Sequence, residues 1–220
     1  MQAESCTHII WDFNGTLLDD VDVAIASVSD MLRARGRGPM TRQWYREIMD
    51  MPIIRYYEKL FDLSKVSFEQ LSREFIDGYA RHFSQARVMP GACRLIERFS
   101  AAGCRQVIIS SFEQERLRAI LRELGLAERF DTVLGAGNIR AESKIERATN
   151  WLRESGAQPD CVLVIGDLVH DWEMAQTLGA RCVLLDRGHQ SRGDLLRCGC
   201  PVVHNLEEIA GLSNDSITQK

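Results

Sequence analysis

Residues 8–16, HIIWDFNGT, decide the fold class. The apolar run HIIW has the length of a buried strand, and it ends at Asp12, where a polar turn containing a glycine begins. A helix is predicted after the turn, because apolar residues recur on one 3.6-residue face from Val21 to Leu32. The chain is therefore predicted to start with a strand, a turn and a helix.

The periodicity of the rest of the chain changes near residue 89. Residues 21–88 show helical periodicity alone, whereas helix and strand patterns alternate after Pro90-Gly91. Such alternation predicts a mostly parallel, doubly wound α/β sheet of Rossmann-like type, with helices on both faces. We predict a core domain of residues 1–20 and 89–220, with a helical cap of residues 21–88 inserted after strand one. The predicted core helices are 92–102, 113–124, 144–155 and 171–178, and the predicted strands are 106–109, 132–134, 161–165 and 182–185.

Composition narrows the class of function. The chain has 220 residues, of which 45% are hydrophobic, and a formal net charge of −4. A mildly acidic balance argues against nucleic-acid and membrane-surface partners, which require basic patches. No apolar run reaches the roughly 18 residues that span a bilayer, and the first residues, MQAESCTHIIWDF, do not resemble a secretory signal. We therefore expect a cytoplasmic protein with neither a nucleic-acid nor a membrane partner.

Two groups of polar residues follow the first two predicted strands of the core. Asp12 ends the first strand, and Ser110-Ser111 ends the strand QVII. Ligands of open α/β sheets bind outside the carboxyl ends of the strands. Each group also fits a purely structural role: the first as an Asx-type turn, and Ser111 as the N-cap of a helix with a capping box.

Two further groups lie at later strand-to-helix junctions. Ser143-Lys144-Ile-Glu146 resembles a capping box, which places Lys144 in a first helical turn, where a cation opposes the helix dipole. This position suits a lysine that faces anionic groups, although surface lysines also occur there. Asp167 and Asp171 follow the strand CVLVI and are oxygen donors of the type that Mg²⁺ prefers. As a lone motif, the pair also fits an N-cap and a solvated acid.

Together, these groups resemble the motifs of the haloacid dehalogenase superfamily, and in particular its phosphoglycolate-phosphatase-like members with a helical cap after the first strand. The motifs are Asp12-Phe-Asn-Gly-Thr16, Ser110, Lys144 and Gly166-Asp167-x-x-x-Asp171, in this order. The resemblance extends over nearly the whole chain, and four motifs in order at strand ends are a specific signal.

The resemblance implies a phosphatase that uses Mg²⁺ and acts on a small phosphate ester. Asp12 would attack phosphorus and form an aspartyl-phosphate. Asp12, the backbone carbonyl of Asn14 and Asp167 would hold the metal, with Asp171 supporting the site. Ser110, Ser111 and Lys144 would bind the phosphoryl group, and Lys144 would lower the pKa of Asp12. The oligomeric state and the particular ester do not follow from the sequence.

Asn14 departs from the family pattern, which has a second aspartate there as general acid/base. An amide cannot exchange a proton at neutral pH, and general acid/base catalysis contributes about 10²–10⁴-fold. Asn14→Asp is accordingly predicted to raise alkyl-phosphate turnover by about 10²-fold. Three functions remain. The first is a phosphatase that is slow, favours good leaving groups or uses another group as its acid. The second is a phosphonate-cleaving enzyme with a lysine of the cap, and the third is a non-catalytic phosphate-ligand-binding or regulatory protein.

The cap contributes few candidates. Arg55, near the start of a helix that follows Pro52, is predicted to contact a carboxylate or a second phosphate of the substrate, or else to be a solvated surface charge. Lys59 and Lys65 are the lysines on which a phosphonate-cleaving reaction would depend. A dehalogenase is disfavoured, because Asp167 and Asp171 have no use without a metal.

Overall fold

The computed structural model describes residues 6–137 and 143–212. A parallel sheet of six strands forms the core, in the order β5-β4-β1-β6-β7-β8. Two further strands, β2 and β3, form a separate antiparallel ribbon. The strands are β1 (His8–Trp11), β2 (Leu18–Asp19), β3 (Arg87–Val88), β4 (Arg105–Glu113), β5 (Thr132–Ala136), β6 (Val162–Gly166), β7 (Arg181–Leu185) and β8 (Val202–Val203).

Helices cover both faces of this sheet, so the central strands are buried on both sides. Along β1, Ile9 and Trp11 belong to one apolar cluster and Ile10 to the other, in keeping with the two-residue period of a strand. Helices α5, α6 and α10 pack on the first face, and α7, α8 and α9 pack on the second. These helices are α5 (Ala92–Ala101), α6 (Gln114–Glu123), α7 (Lys144–Ser155), α8 (Val169–Leu178), α9 (Arg192–Leu196) and α10 (Leu206–Ile209).

Four helices lie between β2 and β3 and form a cluster of their own. Its buried residues include Val28, Tyr56 and Leu71, and Leu168 of the core packs against them. The β2–β3 ribbon pairs Leu18 with Val88 and so joins the two ends of this helical insert. The helices of the insert are α1 (Val21–Arg33), α2 (Arg42–Ile48), α3 (Ile53–Leu60) and α4 (Phe68–His82).

The predicted fold class, a mostly parallel α/β sheet with helices on both faces, is confirmed. The division into residues 1–20 and 89–220 against 21–88 stays a prediction; residues 1–5, 138–142 and 213–220 of that core lie outside the described residues. None of the helices in the described part has the length and apolar character needed to cross a bilayer.

The predicted helix cap at Ser111 is wrong. Strand β4 continues to Glu113, which pairs with Ala136 of β5 after a shift in register. The Glu113 carboxylate then caps α6, accepting hydrogen bonds from the backbone N–H groups of Glu115 (3.0 Å) and Arg116 (2.9 Å). Pairing with the edge strand therefore keeps Ser111 extended, and the longer glutamate side chain replaces the serine as the cap.

Candidate active site

Asp12 lies at the carboxyl edge of the sheet, beside the residues that follow β6. Its backbone N–H donates to the Ile165 carbonyl at 2.8 Å and so extends the pairing of β1 with β6 by one residue. Asp167 directly follows β6, and Asp171 lies in the first turn of α8. One carboxylate oxygen from each of the three aspartates lies within 4.8 Å of the others, and all three side chains are buried. The parallel strands thus bring the predicted acidic residues together.

Lys144 reaches this cluster from the first turn of α7. The predicted capping box is confirmed: Ser143 Oγ accepts from the Glu146 N–H at 3.1 Å, and Glu146 accepts from the Ser143 N–H at 2.7 Å. The Lys144 ammonium donates to Asp12 Oδ1 and, at 2.5 Å, to Asp171 Oδ1. Its side chain is only 3% exposed, which excludes a surface lysine.

Asp171 organises the loop that carries Asp167. Its second oxygen, Oδ2, accepts the backbone N–H groups of Asp167 and Leu168, both at 3.0 Å. A Cβ atom at Gly166 would overlap the Asp171 carboxylate, so only glycine allows this close approach. Both carboxylate oxygens of Asp171 are therefore engaged, one with Lys144 and one with the backbone.

Asp167 is fixed by two hydrogen bonds. Thr16 Oγ1 donates to Asp167 Oδ1 at 2.9 Å, and the His189 backbone N–H donates to Oδ2 at 2.7 Å. Gly15 has φ +75°, and a Cβ atom there would overlap the Asp167 carboxylate. The turn after Asp12 therefore needs glycine both for its conformation and for its contact with Asp167.

Burial dominates the electrostatics of the cluster. It raises the pKa of Asp12 well above the usual range of a carboxyl, and Lys144 acts in the opposite direction. The predicted sign of the lysine's effect on the pKa of Asp12 is therefore right, but the effect of burial is larger. Burial also raises the pKa of Asp167 to about 6. The Lys144 ammonium contacts Asp12 and Asp171 but not Asp167, and a divalent cation would stabilise the ionised forms of all three carboxylates.

The two serines at the end of QVII have different environments. Ser110 is buried; its Oγ accepts the Phe112 N–H at 3.1 Å, and its carbonyl accepts from Arg147 Nη2 at 2.8 Å. Ser110 is therefore held in place, and no acceptor among residues 6–137 and 143–212 engages its hydroxyl hydrogen, which could be donated to a ligand. Ser111 is exposed on β4, and its predicted role in binding phosphate stays a prediction.

Comparison with known proteins shows the family to which the chain belongs. A family model described as haloacid dehalogenase-like hydrolase matches residues 9–185. The chain belongs to this family. The predicted resemblance and the prediction of a hydrolytic enzyme are thereby confirmed, and the match includes Asp12, Ser110, Lys144, Asp167 and Asp171.

Relatives of this haloacid dehalogenase-like hydrolase include phosphatases. This chain is 29% identical to the phosphoglycolate phosphatase of Xylella fastidiosa, and the match covers 84% of this chain and 82% of the relative. It is 26% identical to the N-acetylmuramic acid 6-phosphate phosphatase of Pseudomonas aeruginosa, with 82% of each covered. A haloacid dehalogenase-like family hydrolase from Streptococcus pneumoniae shares the fold, with a TM-score of 0.81 and 20% identity over 94% of this chain and 98% of that one.

The cations predicted in the cap do not contact the carboxylate cluster of this hydrolase. Arg55 is exposed and lines a cavity of about 270 Å³ with Met51 of the insert and Leu168 of the core. Lys59 donates to Asp50 at 2.8 Å, and the side chain of Lys65 is 81% exposed. The contacts of both lysines thus lie away from Asp12, which gives a phosphonate-cleaving reaction no support.

A second buried network, around Asp20, has no counterpart in the sequence predictions. Asp20 is 1% exposed and faces His189 Nε2 at 3.1 Å, Tyr79 Oη at 2.6 Å and Asn14 Nδ2 at 2.7 Å. Burial alone would lower the pKa of His189, but the Asp20 carboxylate raises it to about 9. His189 also lies 2.8 Å from Tyr45 Oη of the insert. Because His189 follows β7 closely, the rule of strand ends that located Asp167 would also have indicated this histidine.

Replacement of Lys144 tests the electrostatic arrangement through stability. Lys144→Met removes the cation that two buried carboxylates share, and breaking a buried ion pair costs about 3–5 kcal/mol. We expect a decrease of that size in the free energy of unfolding, measured by urea denaturation at pH 7 with a chelator present.

Lys59→Met is the matched control for this measurement. Its ammonium pairs with Asp50 in an exposed setting, where an ion pair contributes about 0–1 kcal/mol. Equal losses of stability in the two variants would contradict the assignment of Lys144 as a buried, charge-compensating residue.

Proposed function

We propose that this protein is a Mg²⁺-dependent phosphatase that hydrolyses a small, phosphoglycolate-like phosphate ester through an aspartyl-phosphate on Asp12. The observation that carries the proposal is the buried lysine that joins Asp12 to Asp171, beside a third carboxylate, Asp167. Similarity to two phosphatases over more than four-fifths of the chain supports the same reaction.

The residues of the cluster fit a magnesium ion. Asp12, Asp167 and the backbone carbonyl of Asn14 would hold it, because Mg²⁺ takes oxygen ligands and usually one or two carboxylates. The oxygens of Asp171 are occupied by Lys144 and by two backbone N–H groups, which suits a supporting role. When bound, the ion would neutralise charge on the phosphoryl oxygens.

The protein's own residues account for two chemical steps. A carboxylate oxygen of Asp12 attacks phosphorus, the bond to the leaving group breaks, and an acyl phosphate forms on Asp12. Lys144 and Ser110 bind the phosphoryl oxygens and stabilise their charge in both steps. Water then attacks the acyl phosphate, which releases inorganic phosphate and restores the Asp12 carboxylate.

Arg55 is the candidate for binding the rest of the substrate. It lines the cavity between the insert and the start of α8. The names of both phosphatase relatives describe phosphate esters that also carry a carboxyl group. A guanidinium pairs well with a carboxylate, so we propose an ester of a hydroxy acid as the substrate class.

The identity of residue 14 leads to a test with phosphate esters of different leaving groups. Asn14 cannot protonate the leaving group. Aryl and acyl phosphates, whose leaving groups depart without protonation, should therefore be hydrolysed about 10²-fold faster than alkyl phosphates. The measurement is turnover of a panel of esters by the purified chain in Mg²⁺, with no other macromolecule present. Activity should disappear with a chelator and return with added Mg²⁺.

The panel also separates the proposed function from its alternative. A non-catalytic phosphate-ligand-binding or regulatory protein is the second candidate, favoured by the amide at position 14. No turnover of any ester, together with binding of inorganic phosphate, would support that candidate. Activity that survives chelation would contradict the metal dependence.

A further inference from the structure

Asn14 has a defined orientation in the second buried network. Its Nδ2 atom lies 2.7 Å from Asp20 Oδ2 and 3.1 Å from Tyr79 Oη. A carboxylate accepts hydrogen bonds and cannot donate them, so the nitrogen of the amide, and not its oxygen, must face Asp20. The tyrosine hydroxyl donates to Asp20 at 2.6 Å and is therefore free to accept from the amide.

Asp20 is itself fixed by the elements around it. Beyond Tyr79, its carboxylate accepts the Gly15 N–H at 2.9 Å and faces His189 Nε2 at 3.1 Å. Asp20 precedes α1, Tyr79 belongs to α4, and His189 lies in the loop after β7. The acceptor of the Asn14 amide is thus held by both the insert and the core.

This orientation limits what Asn14 can offer to reacting groups. A primary amide has two hydrogens, but Asp20 Oδ2 and Tyr79 Oη lie on the same side of Nδ2, 2.6 Å from each other, so a single hydrogen faces both. The rest of the amide is its second hydrogen and Oδ1, which only accepts. Asn14 can therefore accept a hydrogen bond from a water molecule through Oδ1, and as an amide it cannot transfer a proton to a leaving group.

We propose that Asp20 is a positioning residue, which turns the Asn14 amide so that Oδ1 orients the water that attacks the aspartyl-phosphate. The inference rests on the proposed function and adds a residue to its second step. In that step a water oxygen bonds to phosphorus, the bond from phosphorus to Asp12 breaks, and the proton of the water passes to the released phosphate or to solvent. Asn14 orients the water without taking its proton.

The proposal also changes what is expected of Asn14→Asp. In that single variant, two carboxylates would stand in contact at positions 14 and 20 and repel each other. The exchange variant Asn14→Asp/Asp20→Asn keeps one carboxylate and one amide in the same contact. General acid/base catalysis raises alkyl-phosphate turnover by about 10²-fold. We therefore expect this gain in the exchange variant Asn14→Asp/Asp20→Asn and not in Asn14→Asp alone.

The experiment compares the parent with Asp20→Asn, Asn14→Asp and their combination. Rapid quenching with an aryl phosphate separates formation of the phosphoenzyme from its breakdown. Asp20→Asn is expected to slow breakdown by about 10-fold or more while formation changes less than about 3-fold, because one oriented water is lost and the nucleophile is unaltered. The exchange variant should exceed Asn14→Asp on alkyl phosphates by at least about 10-fold.

Two further variants, Tyr79→Phe as a second test and Asp30→Asn as a control, are measured in the same way. Tyr79→Phe removes one acceptor of the amide and one donor to Asp20 but keeps the Asp20 charge and its contact with Asn14, and breakdown should slow by about 3–10-fold, in the range of ordinary hydrogen-bond contributions. This variant decides the question if Asp20→Asn does not fold. Asp30→Asn, on the outer face of α1 beside Arg81 and His82, should match the parent.

Deamidation of Asn14 gives a readout independent of activity. Succinimide formation requires the Gly15 nitrogen to attack the side-chain carbonyl of Asn14, but the Gly15 N–H is engaged with Leu18 O and Asp20 Oδ1, both at 2.9 Å. Asp20→Asn is expected to deamidate at Asn14 severalfold faster than the parent, measured by mass spectrometry of that peptide.

Four outcomes would overturn the inference: equal slowing of both steps in Asp20→Asn, unchanged breakdown, an exchange variant no faster than Asn14→Asp, or unchanged deamidation. A parent that forms no phosphoenzyme at all would instead contradict the proposed function. The two failures are therefore distinguishable.

Discussion

Asp12→Asn is expected to abolish turnover, with a decrease of about 10⁵-fold or more, the size observed when a covalent catalytic unit is lost. The amide is nearly isosteric with the carboxylate but is not a nucleophile toward phosphorus. Lys144 keeps its contact with Asp171 in this variant, so the fold should be retained. The measurement is hydrolysis of an aryl phosphate in Mg²⁺, with melting temperature as the check on folding.

Asp22→Asn serves as the control for this substitution. Its side chain is 69% exposed and pairs with Arg42 on the surface of the insert, so turnover should remain that of the parent. Substantial turnover by Asp12→Asn, without deamidation of the new asparagine, would mean that another residue attacks phosphorus or that water attacks directly.

Asp167→Asn is expected to remove both turnover and affinity for a divalent cation. Loss of a supporting residue near a metal already costs about 10–100-fold in affinity, and a direct ligand should cost at least as much. Calorimetry with Mg²⁺, or electron paramagnetic resonance with Mn²⁺, measures the affinity without reference to activity. A folded variant that binds the cation as the parent does would place the metal elsewhere.

Thr16→Val tests the same metal site with a smaller change than Asp167→Asn. It removes the hydrogen bond of 2.9 Å to Asp167 Oδ1 and keeps a similar volume in a fully buried position. The expected decrease in cation affinity is about 10-fold, smaller than that of Asp167→Asn. A Thr16→Val variant with unchanged affinity would show that the orientation of Asp167 does not depend on this hydroxyl.

The parallel sheet was predictable because its signals are local. Each predicted core strand is a short apolar run, and glycines mark the ends of helices 92–102, 113–124, 144–155 and 171–178. The β2–β3 ribbon was not predicted, because two strands of two residues carry no periodicity. The cap of α6 was misassigned because β4 pairs with β5 through residues 23 to 25 positions apart in the chain, such as Glu113 with Ala136 and Val107 with Thr132.

The same distinction between local and distant contacts explains the site. Asp12, Lys144 and Asp167 were identifiable because each follows a strand, or begins a helix, at one edge of the sheet. Asp20 was not, because its partners Tyr79 and His189 lie 59 and 169 positions away and Asp20 follows no core strand. Which hydrogens of Asn14 are engaged depends entirely on these distant contacts.

Trapping the phosphoenzyme tests most directly whether Asp12 carries the phosphoryl group. The parent would be mixed with an acyl phosphate in Mg²⁺, quenched in acid within the first turnover, and digested for mass spectrometry. We expect a phosphorylated peptide with the phosphate on Asp12, absent from Asp12→Asn and longer-lived in Asp20→Asn. Turnover of the acyl phosphate with no phosphorylated peptide, or with the phosphate on another residue, would contradict this role of Asp12.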